Sequence, residues 1–366
     1  MSRDGRNVYV EPAAYAWSGG ELLVVGRPTI LWRKLGPFTA DSVLGVVVES
    51  DGTLRLVESP LDLRLVGMLR AIGRRGGGWD LILAERPSPT AGDSVARLWH
   101  GVYDGRRWRS LTQLPNAPGM QPLAFGASNL DRAGDTLSWA VRVRNPADYT
   151  TSVQLLRLRG GRWSSELVPT RRAVYLALKH LTRAGLQLAV VAPDLTETRD
   201  DNSLFLWTEH PSWNVRRRVS FGARDGPAHY PTLVDSERPI LTWYVDTERA
   251  REVRALADPL SGSLARVVTI DSSFADRGAP GSVRLRGGHH LWVSHHIAGT
   301  NTRSLRFVVS NPPAPATTQT FASPYRTSIR ALGTGDSKFV VIGAQQDTAS
   351  GGFHTSLIRA RMVCTR

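Results

Sequence analysis

One run of residues recurs along this 366-residue chain at a spacing that admits few folds. It reads ELLVVGR from Glu21, DLILAER from Asp80, LSWAVRV from Leu137, LQLAVVA from Leu186, LTWYVDT from Leu241, HLWVSHH from His290 and KFVVIGA from Lys338, at intervals of 48 to 59 residues. A second run follows each copy after a polar loop. It opens on Ser followed by Val or Leu at Ser42, Ser94, Ser152, Ser203, Ser304 and Ser356, and on Glu252-Val253 in the remaining copy. Two runs in one register define an internal repeat of about 50 residues. Within each repeat, short Val-, Leu-, Ile- and Trp-rich stretches alternate with Gly, Pro, Asn and Asp, the mark of strands joined by turns.

A repeat of this length with four short strands reads as one blade of a β-propeller. Labelled A to D from the centre to the rim, the first run is strand B and the second is strand C. Tyr230–Val234 and Thr327–Leu332 are A strands, and Trp163–Val168 and Val267–Ile270 are D strands. One blade cannot cover both of its apolar faces, and a ring of blades covers them all. The expected fold is all-β: a single domain, a seven-bladed β-propeller of four-stranded antiparallel blades. The blades fall at about 12–60, 61–118, 119–169, 170–224, 225–273, 274–323 and 324–366. The seventh repeat runs out after its C strand, and Asn7–Glu11 precedes the first A strand. The N-terminal strand is therefore expected to complete the last blade and leave no edge unpaired. Trp139, Trp243 and Trp292 occupy equivalent B-strand positions and are expected to pack between blades.

Composition narrows the classes. With 41% hydrophobic and 21% charged residues the chain folds, and disordered or collagen-like states are excluded. Cys364 is the one cysteine, which excludes a disulfide framework and a cysteine-based zinc site. No apolar run is long enough for a transmembrane helix. The polar start, Met1-Ser-Arg-Asp-Gly-Arg, contains no signal peptide, so the chain reads as cytoplasmic or as one whose leader has been removed. The formal charge is +14, from 46 basic and 32 acidic residues, and Lys34, Lys179 and Lys338 are the only lysines. So arginine-rich a surface favours an anionic partner. The arginines are spread in short runs, at Arg74-Arg75, Arg106-Arg107, Arg171-Arg172 and Arg216-Arg217-Arg218, with no basic helix or RNA-binding motif. Sequence-specific nucleic-acid binding is not expected.

Two turns, Tyr103-Asp-Gly-Arg-Arg-Trp108 and Arg159-Gly-Gly-Arg-Trp163, place Gly three residues before Trp, and a third, Glu209-His-Pro-Ser-Trp213, keeps the Trp. They resemble decayed Asp-boxes, the Ser-x-Asp-x-Gly-x-x-Trp turns of the sialidase-like propeller superfamily, and the hairpin from His229 to Tyr244 is similar to that superfamily's blades. The resemblance implies a periplasmic or extracellular protein. It carries over no catalytic residue: the first A strand, Pro12-Ala13-Ala14-Tyr15, lacks the superfamily's arginine, and the surroundings of Tyr325 do not match its nucleophile.

In a propeller the D–A and B–C connections share one face, where ligands bind. The D–A side offers Arg171, Arg172, His229, Tyr230, Tyr325 and Arg326, the expected ligand-binding set. The B–C side offers Arg199, Asp200, Asp201, Asp246, Glu248, His295, His296, Gln345, Gln346 and Asp347. The histidine pairs His289-His290 and His295-His296 stand about 20 Å apart along an extended strand, too far to share an ion, and no metal or cofactor is expected. The leading functional reading is a non-catalytic binding or docking propeller for an acidic partner, either an acidic protein surface in a larger assembly or an anionic glycan. The alternative is a polysaccharide lyase or glycosidase acting on an acidic polysaccharide. In the lyase reading His229 or His295 with Tyr230 supplies base and acid, and Arg171 or Arg172 neutralises the uronate.

Overall fold

The computed structural model describes all residues except 1–9, 29–42, 63–65, 87–95, 124–127, 171, 183, 194–201, 210–212, 214, 236–238, 248–250, 262–266, 272–280, 285–288, 299–301, 311–316, 323–328, 336–337, 347–352 and 362–366. The first blade is β1 (Val10–Ser18), β2 (Glu21–Pro28), β3 (Val43–Val48) and β4 (Leu54–Glu58). The second is β5 (Val66–Gly73), β6 (Trp79–Glu85), β7 (Arg97–Tyr103) and β8 (Trp108–Gln113). A short β9 (Gln121–Pro122) precedes the third, β10 (Ser128–Ala133), β11 (Thr136–Arg144), β12 (Thr151–Arg159) and β13 (Arg162–Val168). The fourth is β14 (Tyr175–Leu181), β15 (Gly185–Pro193), β16 (Asn202–Thr208) and β17 (Val215–Ser220). One helical turn, α1 (Gly222–Asp225), leads to the fifth, β18 (Ala228–Val234), β19 (Ile240–Asp246), β20 (Arg251–Ala257) and β21 (Val267–Asp271). The sixth is β22 (Gly281–Arg284), β23 (His290–Ala298), β24 (Thr302–Ser310) and β25 (Thr317–Ala322). Last come β26 (Ile329–Gly335), β27 (Lys338–Gln346) and β28 (Phe353–Arg361).

Each sheet is an antiparallel meander in chain order, and β9 adds to the outer end of β11. Every copy of the first repeated run begins on or beside a B strand. The expectation of seven complete blades is corrected: six sheets carry the full four-strand meander, and the last has three strands among the described residues. Of the expected closing strand, Asn7–Glu11, residues 7–9 lie outside the described residues, and the last two are placed elsewhere. Val10 and Glu11 pair with Pro28 and Arg27 of β2, extending the first inner strand instead of joining the last sheet. β1 does run beside β28, and inner strands neighbour one another from β1 through β5, β10 and β14 to β18, and from β22 to β26.

Burial explains the composition of each strand. B strands are covered on both faces, so β6, β15 and β19 are buried almost without a break. D strands lie at the rim, and β8 and β13 are mostly exposed and polar. The longest arginine run, Arg216–Arg218, lies on the outer strand β17, where charge discourages edge-to-edge pairing.

Apolar cores form between blades. Trp139 packs with Met68, Ile82 and Leu98 of the second blade, Trp243 with Val191 and Leu204 of the fourth, and Trp292 with Tyr244 and Val253 of the fifth. All three are buried, as their shared position in the repeat implied. The tryptophans at or beside the C–D turns also reach the preceding blade. Trp108 Nε1 donates to Glu58 O at 2.8 Å, Trp213 Nε1 donates to Glu166 Oε1 at 2.9 Å, and Trp163 meets His100 edge-on at 5.1 Å. Within the first of these turns, the Arg106 and Arg107 N–H groups both donate to Asp104 Oδ1 at 2.8 Å and hold its carboxyl at a pKa of about 2.

Truncating an inter-blade tryptophan leaves a cavity that two blades cannot close. Trp243→Ala is expected to cost about 3–5 kcal/mol in chemical denaturation. A variant as stable as the parent would show that Trp243 does not hold the fourth and fifth blades together.

Candidate functional site

The face formed by the D–A and B–C connections gathers side chains from three consecutive blades. At its centre is the start of β18. Gly226 and Pro227 bring the chain from α1 against the end of β19, where the Asp246 N–H donates to Pro227 O at 3.2 Å. A Cβ on Gly226 would lie 2.3 Å from Asp246 O, and its φ of 91° also favours glycine. This close approach sets His229 Nε2 3.1 Å from Asp246 Oδ2. The β18–β19 register then slips between His229 and Thr232. Inside that bulge Tyr230 has φ of 43°, a left-handed conformation rare for a bulky residue. Such a conformation costs a non-glycine residue about 1–3 kcal/mol and collects at binding sites.

The bulge turns Tyr230 into an aromatic cluster. Its ring lies 4.4 Å from that of Tyr175, at the start of β14, and 6.2 Å from that of Tyr244 on β19. Tyr175 also meets His229 edge-on at 5.7 Å. These are ordinary aromatic packing distances.

Beside Tyr175 stands Arg142, near the end of β11. Its Nη1 points at the Ala173 and Val174 carbonyls at the long distances of 3.5 and 3.4 Å. Burial lowers its pKa, and the neighbouring Tyr175 acts in the opposite sense. No carboxylate pairs with Arg142 among the described residues. Two residues on, Arg144 is also half-buried, with Nη2 3.4 Å from Gln121 Oε1. A half-buried cation without a counter-ion has lost hydration that an anionic ligand would restore.

Of the expected ligand-binding set, His229 and Tyr230 lie together in this cluster. Arg172 is exposed on the same D–A connection that leads to Tyr175, with φ of 52°. Arg171, Tyr325 and Arg326 lie outside the described residues, as do Arg199, Asp200, Asp201, Glu248 and Asp347. His295 and His296 lie on β23, opposite Leu305 and Ser304 of β24. Gln345 and Gln346 lie on β27, opposite His354 and Phe353 of β28. Of the other histidine pair, His289 is exposed and His290 buried. Among the described residues no three His, Cys, Asp or Glu side chains come together as a metal site, and no helix is long and apolar enough to cross a membrane. Sequence reasoning missed Arg142, Arg144, Tyr175 and Tyr244. The signal for the arginines was present in LSWAVRVR, an apolar B strand ending in two charges on one face.

No family model matches the chain. No curated protein matches it either. Solved structures do. The BP39L lectin from Burkholderia pseudomallei is similar over 96% of this chain and 97% of its own, with 14% identity and a TM-score of 0.57. The polysaccharide lyase Uly1 is similar over 95% of this chain and 89% of its own, with 8% identity and a TM-score of 0.57. At such identities the likeness shows the propeller fold alone. A Trypanosoma rangeli sialidase aligns with 85% of this chain at 11% identity and a TM-score of 0.47. This chain spans 56% of that sialidase's length.

The Gly226 contact is testable. Gly226→Ala places a methyl group against the Asp246 carbonyl in a backbone conformation that alanine avoids, and is expected to destabilise the protein by about 1–3 kcal/mol. Thermal unfolding at matched pH checks this, and an unchanged midpoint would mean that the approach is looser than described.

Proposed function

We propose that this protein is a non-catalytic propeller that binds an anionic glycan on its D–A/B–C face. The observation that carries the reading is Arg142, a half-buried cation with no carboxylate partner among the described residues, set beside Tyr175 and the cluster of His229 and Tyr230. A guanidinium pairs well with a uronate carboxylate, and clustered rings offer apolar faces to a sugar ring. An acidic protein partner fits the overall charge equally, but a compact aromatic and cationic cluster suits a small ring better than a broad interface. A glycan ligand is also compatible with fold neighbours named as a lectin and a polysaccharide lyase.

Arg142→Gln is expected to weaken binding to polygalacturonate about tenfold or more and to flatten its salt dependence, because the lost contact is charge-assisted. Unchanged affinity and salt slope in titration calorimetry would remove the face from consideration.

A second reading rests on the His229–Asp246 pair. An imidazole oriented by a carboxylate beside Tyr230 has the parts for β-elimination on a uronic-acid polymer: His229 takes the C5 proton, Tyr230 protonates the leaving oxygen and Arg142 neutralises the carboxylate. In the same calorimetry samples, unsaturated product absorbing in the ultraviolet and abolished by His229→Ala would favour this reading.

The ring that supports this face is part of the proposal. β1 runs beside β28, and this supports a ring in which the chain ahead of Val10 pairs with the last sheet. Deleting residues 1–9 should lower the melting temperature by several degrees. An unchanged value would mean that those residues do not pair there.

A further inference from the structure

The largest exposed aromatic surface among the described residues lies on the same face, on the blade that carries Arg142. Tyr149, in the B–C loop of the third blade, is 69% exposed. One exposed tyrosine is unremarkable by itself, but three features set this one apart. Its φ is 60°, so the backbone is held left-handed at a bulky residue.

Second, the loop is fixed by its own hydrogen bonds. The Asn145 N–H donates to Thr150 O at 2.9 Å, and the Tyr149 N–H donates to Asn145 O at 2.9 Å. The Asn145 carboxamide accepts from the Ala147 N–H at 3.0 Å, and Asp148 Oδ1 accepts from the Thr150 N–H at 2.9 Å and its hydroxyl at 2.7 Å. Third, Arg144 backs the ring, its guanidinium carbon 5.3 Å from the ring centroid. A ring packed on one side by a cation and open to solvent, on a loop that need not order on binding, is a preorganised platform.

The platform joins the central cluster through shared backbone. Arg142 and Arg144 are two residues apart on β11, so their side chains leave the same face roughly 7 Å apart. Thr151, the cross-strand partner of Arg144, donates its hydroxyl to Ala173 O at 3.2 Å, the carbonyl that Arg142 also faces. Ala173 leads directly to Tyr175.

We infer that Tyr149 and Arg144 form a second contact for the ligand bound at Arg142, so that the ligand is an extended acidic glycan chain and not a single sugar. The inference rests on the reading of Arg142 as the primary contact. In the extended complex, one uronate pairs with Arg142 beside the tyrosines, and a unit further along the chain stacks on Tyr149 while its carboxylate meets Arg144.

The test compares galacturonic acid with polygalacturonate, and heparin as a sulfated chain, by titration calorimetry. Tyr149→Ala and Tyr149→Gly are expected to weaken chain binding by up to about tenfold and leave monomer binding unchanged, whereas Tyr149→Phe retains full affinity. The glycine variant suits the left-handed backbone, so its loss would reflect the missing ring and not a disturbed loop. Chain binding retained in both ring-deleted variants but lost in Arg142→Gln would overturn the second contact and leave the primary one standing. Loss of monomer binding in Tyr149→Ala would also overturn it, by placing Tyr149 in the primary contact. No effect from any of these variants, or no binding of either chain by the parent, would overturn both. Preference for heparin over polygalacturonate would overturn the pairing with uronate, by identifying sulfate as the group that the arginines hold.

Discussion

Packing between neighbouring blades is the constraint on which the rest of this molecule depends. A four-stranded blade has two apolar faces and no means of covering either one, so the larger cores among the described residues each draw on two blades. The B-strand tryptophans show the principle most directly: each belongs to one blade and is buried by another. Polar contacts repeat the pattern. Trp79 Nε1 donates to Ala16 O across the first interface at 2.9 Å. Asp80, buried, is met by His100 of its own blade at 2.7 Å and by Arg132 of the next. Asp131 accepts from Lys179 Nζ and from the His180 N–H, both at 2.6 Å, across the following interface. Buried carboxylates are tolerated there because a partner from the adjacent blade completes each one.

This arrangement gives the two faces different characters. The strand ends beside the A–B and C–D turns carry the carboxylate latches and the turn tryptophans. The opposite face carries the features that packing does not require: two left-handed tyrosines, two half-buried arginines without carboxylate partners among the described residues, and a histidine fixed by an aspartate. A rigid ring can hold such features at little cost, since neighbouring blades prevent their relaxation. The proposed binding site and its extension therefore follow from the same inter-blade packing that makes the fold possible.

The sequence by itself determined the repeat, the strand type and the identity of the buried tryptophans. These rest on local periodicity and on residues whose burial repeats from blade to blade. It also placed His229 and Tyr230 at the start of an A strand, on the face of the D–A and B–C connections. It could not rank arginines, because a residue such as Arg142 differs from the many others only in what surrounds it. It assigned Val10 and Glu11 to a closing strand, whereas pairing with Arg27 and Pro28 lengthens the first hairpin. Tertiary structure alone decided which rings from different blades meet, which cations lack carboxylate partners, and where the backbone turns left-handed. Those properties depend on contacts between residues some 50 positions apart in the chain, and no local pattern encodes them.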